Sequence, residues 1–115
     1  MRLTIIFLAS FISLTTFARS DESSFSLAGA GSMSCEKYLE GRGLQNDTVN
    51  SLFSTWMQGF LSGLNIQRYQ LTKQPMVKIP DAKALLEELD KSCKTKPQPM
   101  IFVIGMEYFQ RLSQQ

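Results

Sequence analysis

Apolar side chains repeat with helical spacing over residues 48–69. Val49, Leu52, Phe53, Trp56, Met57, Phe60, Leu61 and Leu64 fall three or four apart and line one stripe of an α-helix. The pattern predicts one long central helix, with Asp47 or Thr48 capping its first turn through a short side-chain oxygen. On a flank of that stripe Thr55, Gly59 and Gly63 follow one another every fourth residue and form a shallow groove. Each glycine weakens a helix by roughly 1 kcal/mol relative to alanine, so the groove is expected to receive a second helix at close approach. The alternative is that Gly63 begins a frayed end.

Shorter periodic stretches flank this one. Ser34 is placed to cap a helix over residues 35–42 that carries Cys35, Tyr38 and Leu39 on one face and stops at Gly41 and Gly43. After Tyr69, Pro75 and Pro80 forbid a regular helix, and residues 70–80 read as a connecting loop that lays Met76, Val77 and Ile79 over the core. Asp81 then caps a helix whose Ala82, Leu85, Leu86, Leu89 and Cys93 share a stripe. Pro97 and Pro99 interrupt the chain again. A last helix follows over residues 100–112, with Phe102, Val103, Met106, Phe109 and Leu112 as its core stripe and Ile101, Ile104 and Tyr108 widening it. The fold class expected is all-α, a small bundle of three to four short helices around the long central one.

The N-terminus has a different character. Met1 and Arg2 open the chain, residues 3–17 are mostly apolar and uncharged, and Ala18, Arg19 and Ser20 supply the small residues a signal peptidase reads. Export is expected, with residues 1–20 as a signal peptide, 21–33 as a flexible tail rich in serine and glycine, and 34–115 as one helical domain. A retained membrane anchor is the alternative, but the run is short of the roughly 20 apolar residues a span requires. Removing 20 of the 115 residues takes away Arg2 and Arg19, so the 12 basic residues become 10, equal to the 10 acidic ones, and the net charge falls from +2 to zero. A neutral domain with scattered lysines has no electrostatic footprint for nucleic acid. No membrane association is expected once the leader is gone.

The 2 cysteines of an exported chain are expected to pair as Cys35–Cys93 and staple the bundle, with two buried free thiols as the alternative. Zinc fails on ligand count, since the chain has no histidine to complete a tetrahedral shell. The same absence removes the commonest general base. The carboxylate pairs Glu36/Glu40 and Glu87/Glu88 read as solvated faces rather than as acid/base pairs. No catalytic residue, metal or cofactor is expected, and the chain is read as a non-enzyme. Trp56, Phe60, Met100, Phe102, Met106 and Phe109 belong to a soft apolar inventory suited to gripping hydrophobic partners. Most of that inventory must be core, yet so small a bundle has more of it than it can easily bury. These six residues are therefore the candidate partner-binding or dimer surface.

Several of these features occur together in known exported helical proteins. Cys35-x-x-Tyr38-Leu39, Trp56-x-x-Gly59-Phe60-x-x-Gly63 with Asn65, and Ile79-Pro80-Asp81 with Leu85, Leu86 and Cys93 precede a proline and an apolar helix. In this order the chain resembles the HdeA/HdeB class of small periplasmic proteins over residues 34–112. The resemblance implies an acid-stress holdase, a disulfide-clamped dimer that exposes apolar surface to unfolded clients, with Cys35 and Cys93 as its clamp. The span between Trp56 and Cys93 is longer here than in that class, and carboxylates are not in excess. The chain is also similar to the Tai-type immunity proteins that neutralise type VI secretion amidase effectors. That similarity implies a dimer that plugs one effector's cleft with a loop such as residues 70–80. Either resemblance implies a homodimer, and the expected protein is periplasmic or secreted and works by binding protein.

Overall fold

The computed structural model describes residues 26–115, and residues 1–25, with the expected signal peptide and the start of the expected tail, lie outside the described residues. Among the described residues there are four α-helices and no strand: α1 (Cys35–Gly43), α2 (Asp47–Thr72), α3 (Ala82–Thr95) and α4 (Ile101–Leu112), preceded by a 3-10 turn at Gly29–Ser32. None of the helices is long and apolar enough to cross a membrane.

Capping explains most of the boundaries. The Lys37 N–H donates to the Ser34 hydroxyl at the start of α1, and the Ala84 N–H donates to Asp81 Oδ1 at 2.9 Å at the start of α3. At α2 the cap is neither Asp47 nor Thr48. Asn46 fills that role, its Oδ1 accepting from the N–H of Thr48 at 2.8 Å and of Val49 at 3.3 Å. Asp47 thus falls in the first turn, where its carboxylate complements the helix dipole. The helix also runs on to Thr72 and ends where Lys73 turns left-handed at φ 57°.

The core gathers Cys35 and Tyr38 from α1, Phe53, Met57 and Leu61 from α2, Leu85, Leu89 and Cys93 from α3, and Ile101, Ile104 and Phe109 from α4. Cys35 and Cys93 are joined by a disulfide with Cα atoms 5.0 Å apart, wholly buried between α1 and α3. Tyr38 meets Phe53 edge to face, with ring centroids 4.7 Å apart. The start of α1 is tied to the start of α4 by Cys35 N–H donating to Pro99 O and Ile101 N–H donating to Met33 O, both at 2.9 Å.

Two expectations are corrected here. Residues 29–33, assigned to the tail by composition, pack on α2: Ala30 is buried, and the Trp56 indole N–H donates to Ala28 O at 3.1 Å. Composition cannot register this, because small residues are what a turn needs to lie flat on an indole ring. A Cβ on Gly31 would stand 1.9 Å from two Trp56 ring carbons. The buried face of α4 is also rotated from the expected one. Ile101, Ile104, Gly105 and Phe109 point inward, while Met106 is half exposed. Gly105 decides this, since a Cβ there would come within 2.9 Å of Phe60 and 3.0 Å of Met57, and only the glycine face lets the helices close.

Candidate protein-binding surface

Asn65 occupies the position on α2 one turn beyond the buried Leu61, where an apolar residue would continue the stripe, and it is itself buried. Its amide pairs with both backbone groups of Val77: Nδ2 donates to Val77 O at 2.7 Å, and Val77 N–H donates to Oδ1 at 3.0 Å. One turn further, Arg68 donates to Pro75 O at 2.7 Å and to Gln74 Oε1 at 2.6 Å. The loop between α2 and α3 has no ladder of its own, so these side chains supply the backbone partners that strands would supply. Val77 and Ile79 then pack against the core.

Fixing the loop in this way leaves apolar side chains outside. Ile66, Tyr69, Leu71 and Met76 are 49%, 43%, 78% and 52% exposed, which puts four large apolar side chains on one end of the domain. The Lys73 ammonium sits 5.5 Å from the Tyr69 ring centre. Such an end offers a rigid, apolar and weakly cationic contact surface rather than a reactive one.

The opposite end is polar and internally satisfied. Arg42 grips Asp90 through Nε and Nη2 at 2.9 and 2.8 Å and donates from Nη1 to Asn50 Oδ1. The Tyr38 hydroxyl donates to Asp90 Oδ1 at 2.7 Å. Hydrogen bonding to Arg42 holds the Asp90 carboxyl below its usual range, and burial together with Asp90 pushes the Tyr38 hydroxyl well above its own. A cavity of about 700 Å³ opens beside this cluster, lined by Leu39, Arg42, Asn50, Asp90 and Lys94. With its carboxylate ion-paired and its phenol held neutral, the cluster braces α1 on α3 and holds no group poised to exchange a proton near neutral pH. Between α3 and α4, Glu88 contacts Arg111 and accepts from the Ser92 hydroxyl at 2.9 Å, and Lys96 lies 3.7 Å from Glu107. Among the described residues no three His, Cys, Asp or Glu side chains are placed to share a metal ion.

The six residues expected to form a partner surface are divided by the structure. Trp56 stacks on Phe60 with centroids 4.9 Å apart beneath the 3-10 turn, Phe60 lies under Gly105, and Phe109 is buried. Met100 and Met106 are about half exposed, and Phe102 is intermediate. The groove of Thr55, Gly59 and Gly63 is exposed, and no other element of the described chain fills it: a Cβ at either glycine would meet nothing within 4 Å. The helix expected at close approach is therefore not one of this chain's own described helices. The clamp at Asn65 and Arg68 was missed, although a buried-line asparagine just ahead of a proline-bounded loop is a readable signal for it.

Comparisons with family models, with curated proteins and with solved structures found no match.

Proposed function

We propose that this chain is an exported, non-enzymatic protein-binding domain that engages one specific partner through the far end of α2 and the loop after it. The observation that carries the reading is the combination at that end: a loop pinned by Asn65 and Arg68, with Leu71 and Met76 left out in solvent. Pinning a loop before binding removes ordering entropy that association would otherwise have to supply, which suits insertion into a partner's cleft. Export is supported by the buried Cys35–Cys93 disulfide, a bond that persists in oxidising compartments. This is the inhibitor or immunity reading, in which the partner is a folded protein such as a cell-wall-degrading effector.

The test uses the purified exported chain as bait, beside the variant Leu71→Asp with Met76→Asp. One stoichiometric partner held by the wild type and lost by the variant, with unchanged helix content, supports the reading. A partner held equally by both removes the α2 end from it. The holdase reading rests on the half-exposed Met100 and Met106, soft side chains suited to varied clients. It calls for suppression of aggregation of a model client at about pH 2 to 3, where carboxylates protonate. Client protection there, with no stoichiometric partner at neutral pH, would replace the first reading by the second.

A further inference from the structure

The outer face of α2 carries seven exposed residues on one line: Thr48, Leu52, Thr55, Gly59, Gly63, Ile66 and Gln70. At 100° per residue all of them lie within about 40° of Gly59. Their spacings are four, three, four, then four, three, four, so the line reads the same outward from Gly59 in both directions. Reversing one copy about Gly59 sets Leu52 against the second copy's Ile66, Thr55 against its Gly63, Thr48 against its Gln70, and Gly59 against its own equivalent. The small residues fall at the centre, where two crossing helices come closest. Leu52 and Ile66, 52% and 49% exposed, fall where the axes diverge and longer side chains are needed to span the gap.

Charge points the same way. Between Asp47 and Arg68 the helix has no charged residue, and Arg68 is turned to the loop by its bonds to Pro75 and Gln74. Two copies of this face therefore meet without like-charge repulsion. A surface that fits its own reverse is what a two-fold contact requires.

We propose that a second copy of this chain docks antiparallel along this face of α2, with the two-fold axis at Gly59. The strip is about 33 Å long and one helix wide, less than the roughly 800 Å² per partner of a standard interface, so the pair forms reversibly and with rising concentration.

Cysteine cross-linking of the exported chain tests the register. Gly59→Cys should link to itself under mild oxidation several-fold faster than Leu44→Cys, a control on the exposed turn between α1 and α2. A mixture of Leu52→Cys and Ile66→Cys should give the mixed link in preference to either self-link. In sedimentation the wild type should move from one-chain to two-chain mass as concentration rises, and Leu52→Glu with Ile66→Glu should stay at one. The proposal is overturned if the wild type keeps one-chain mass into the millimolar range. It is also overturned if Gly59→Cys links no faster than the control, or if self-links at position 52 outrun the mixed link.

Discussion

The seat of the 3-10 turn on Trp56 can be tested by one methyl group. Gly31→Ala places a Cβ 1.9 Å from two carbons of the indole ring, whereas ordinary contact begins at 3.4 Å. The ring is poorly placed to retreat, because it stacks on Phe60, and Phe60 in turn lies against Gly105 of α4. Relief has to come from lifting the turn, which gives up the 3.1 Å bond from the indole to Ala28 O and the burial of Ala30. Over-packing of this kind costs about 1–3 kcal/mol, and a lost hydrogen bond about 0.5–1.5 kcal/mol. The loss of stability is limited by whatever holds the turn in place, so about 2 kcal/mol is expected.

Trp56 is the 1 tryptophan of the chain, so its fluorescence reports the seat directly. Urea unfolding of Gly31→Ala should show the lowered stability, and native emission should shift to the red as water reaches the indole. Gly43→Ala is the matched control: a Cβ there meets nothing within 4 Å, so stability should hold or rise slightly. If Gly31→Ala unfolds with the wild type and leaves the emission unmoved, the turn is not seated on Trp56, and residues 29–33 belong with the tail after all.

Three further outcomes follow from the same geometry. Replacing Cys35 and Cys93 together by alanine frees a loop of sequence separation 58 and should lower unfolding stability by about 4 kcal/mol in denaturant titration; a loss under about 1 kcal/mol would contradict the chain-entropy account. Asp90 has a depressed folded pKa, so its contribution is present above the unfolded carboxyl pKa of about 3.9 and disappears as pH falls through the folded value. Asp90→Asn should therefore be less stable at neutral pH and show a shallower loss of stability below about pH 4, and parallel acid profiles would refute the pairing with Arg42. Asn65→Ala removes both bonds to Val77, so stability should fall by about 2 kcal/mol, with faster hydrogen exchange and proteolysis confined to the loop after α2.

Legibility in the sequence tracked the range of the interaction. The periodicity of α2, the cap at Asp81 and the cap at Ser34 are local, and each appears where the spacing places it, except that Leu52 at the edge of the α2 stripe lies on the exposed face, 52% accessible, instead of in the core. The pairing of Cys35 with Cys93 spans the chain, yet it was readable because only two thiols compete. The face of α4 was not readable from its own residues, since Phe102, Val103 and Met106 are as apolar as Ile101 and Ile104. The decision is made by Gly105 against Phe60 and Met57, three residues on two helices. For the same reason Trp56 and Phe60 looked like a surface: the turn and the helix that cover them contribute glycines, which carry no apolar signal. The position of Asn65 on the buried line is legible, but which residue it clamps is not, because its partner is the Val77 backbone, and backbone is the same in every sequence.

The two ends of α2 thus meet opposite demands. At the near end α1 is held to α3 by the buried disulfide and by Arg42 and Tyr38 on Asp90, and to the start of α4 by two backbone hydrogen bonds. These ties act on different chemistry, covalent, ionic and peptide, so no single change of pH or salt releases them all. At the far end, among the described residues, no disulfide or ion pair crosses from α2 to another element, and the loop's backbone is pinned by two side chains of α2 itself. A domain of this size has a net stability of only about 5–15 kcal/mol, so leaving Leu71 and Met76 in water is tolerable where the fold is secured elsewhere. Changes to the exposed apolar side chains there, Leu71 and Met76, should consequently alter binding with little effect on unfolding, unlike Asn65→Ala, which unpins the loop, while changes at the near end should do the reverse, and a variant such as Leu71→Asp that unfolded the domain would show that this division is mistaken.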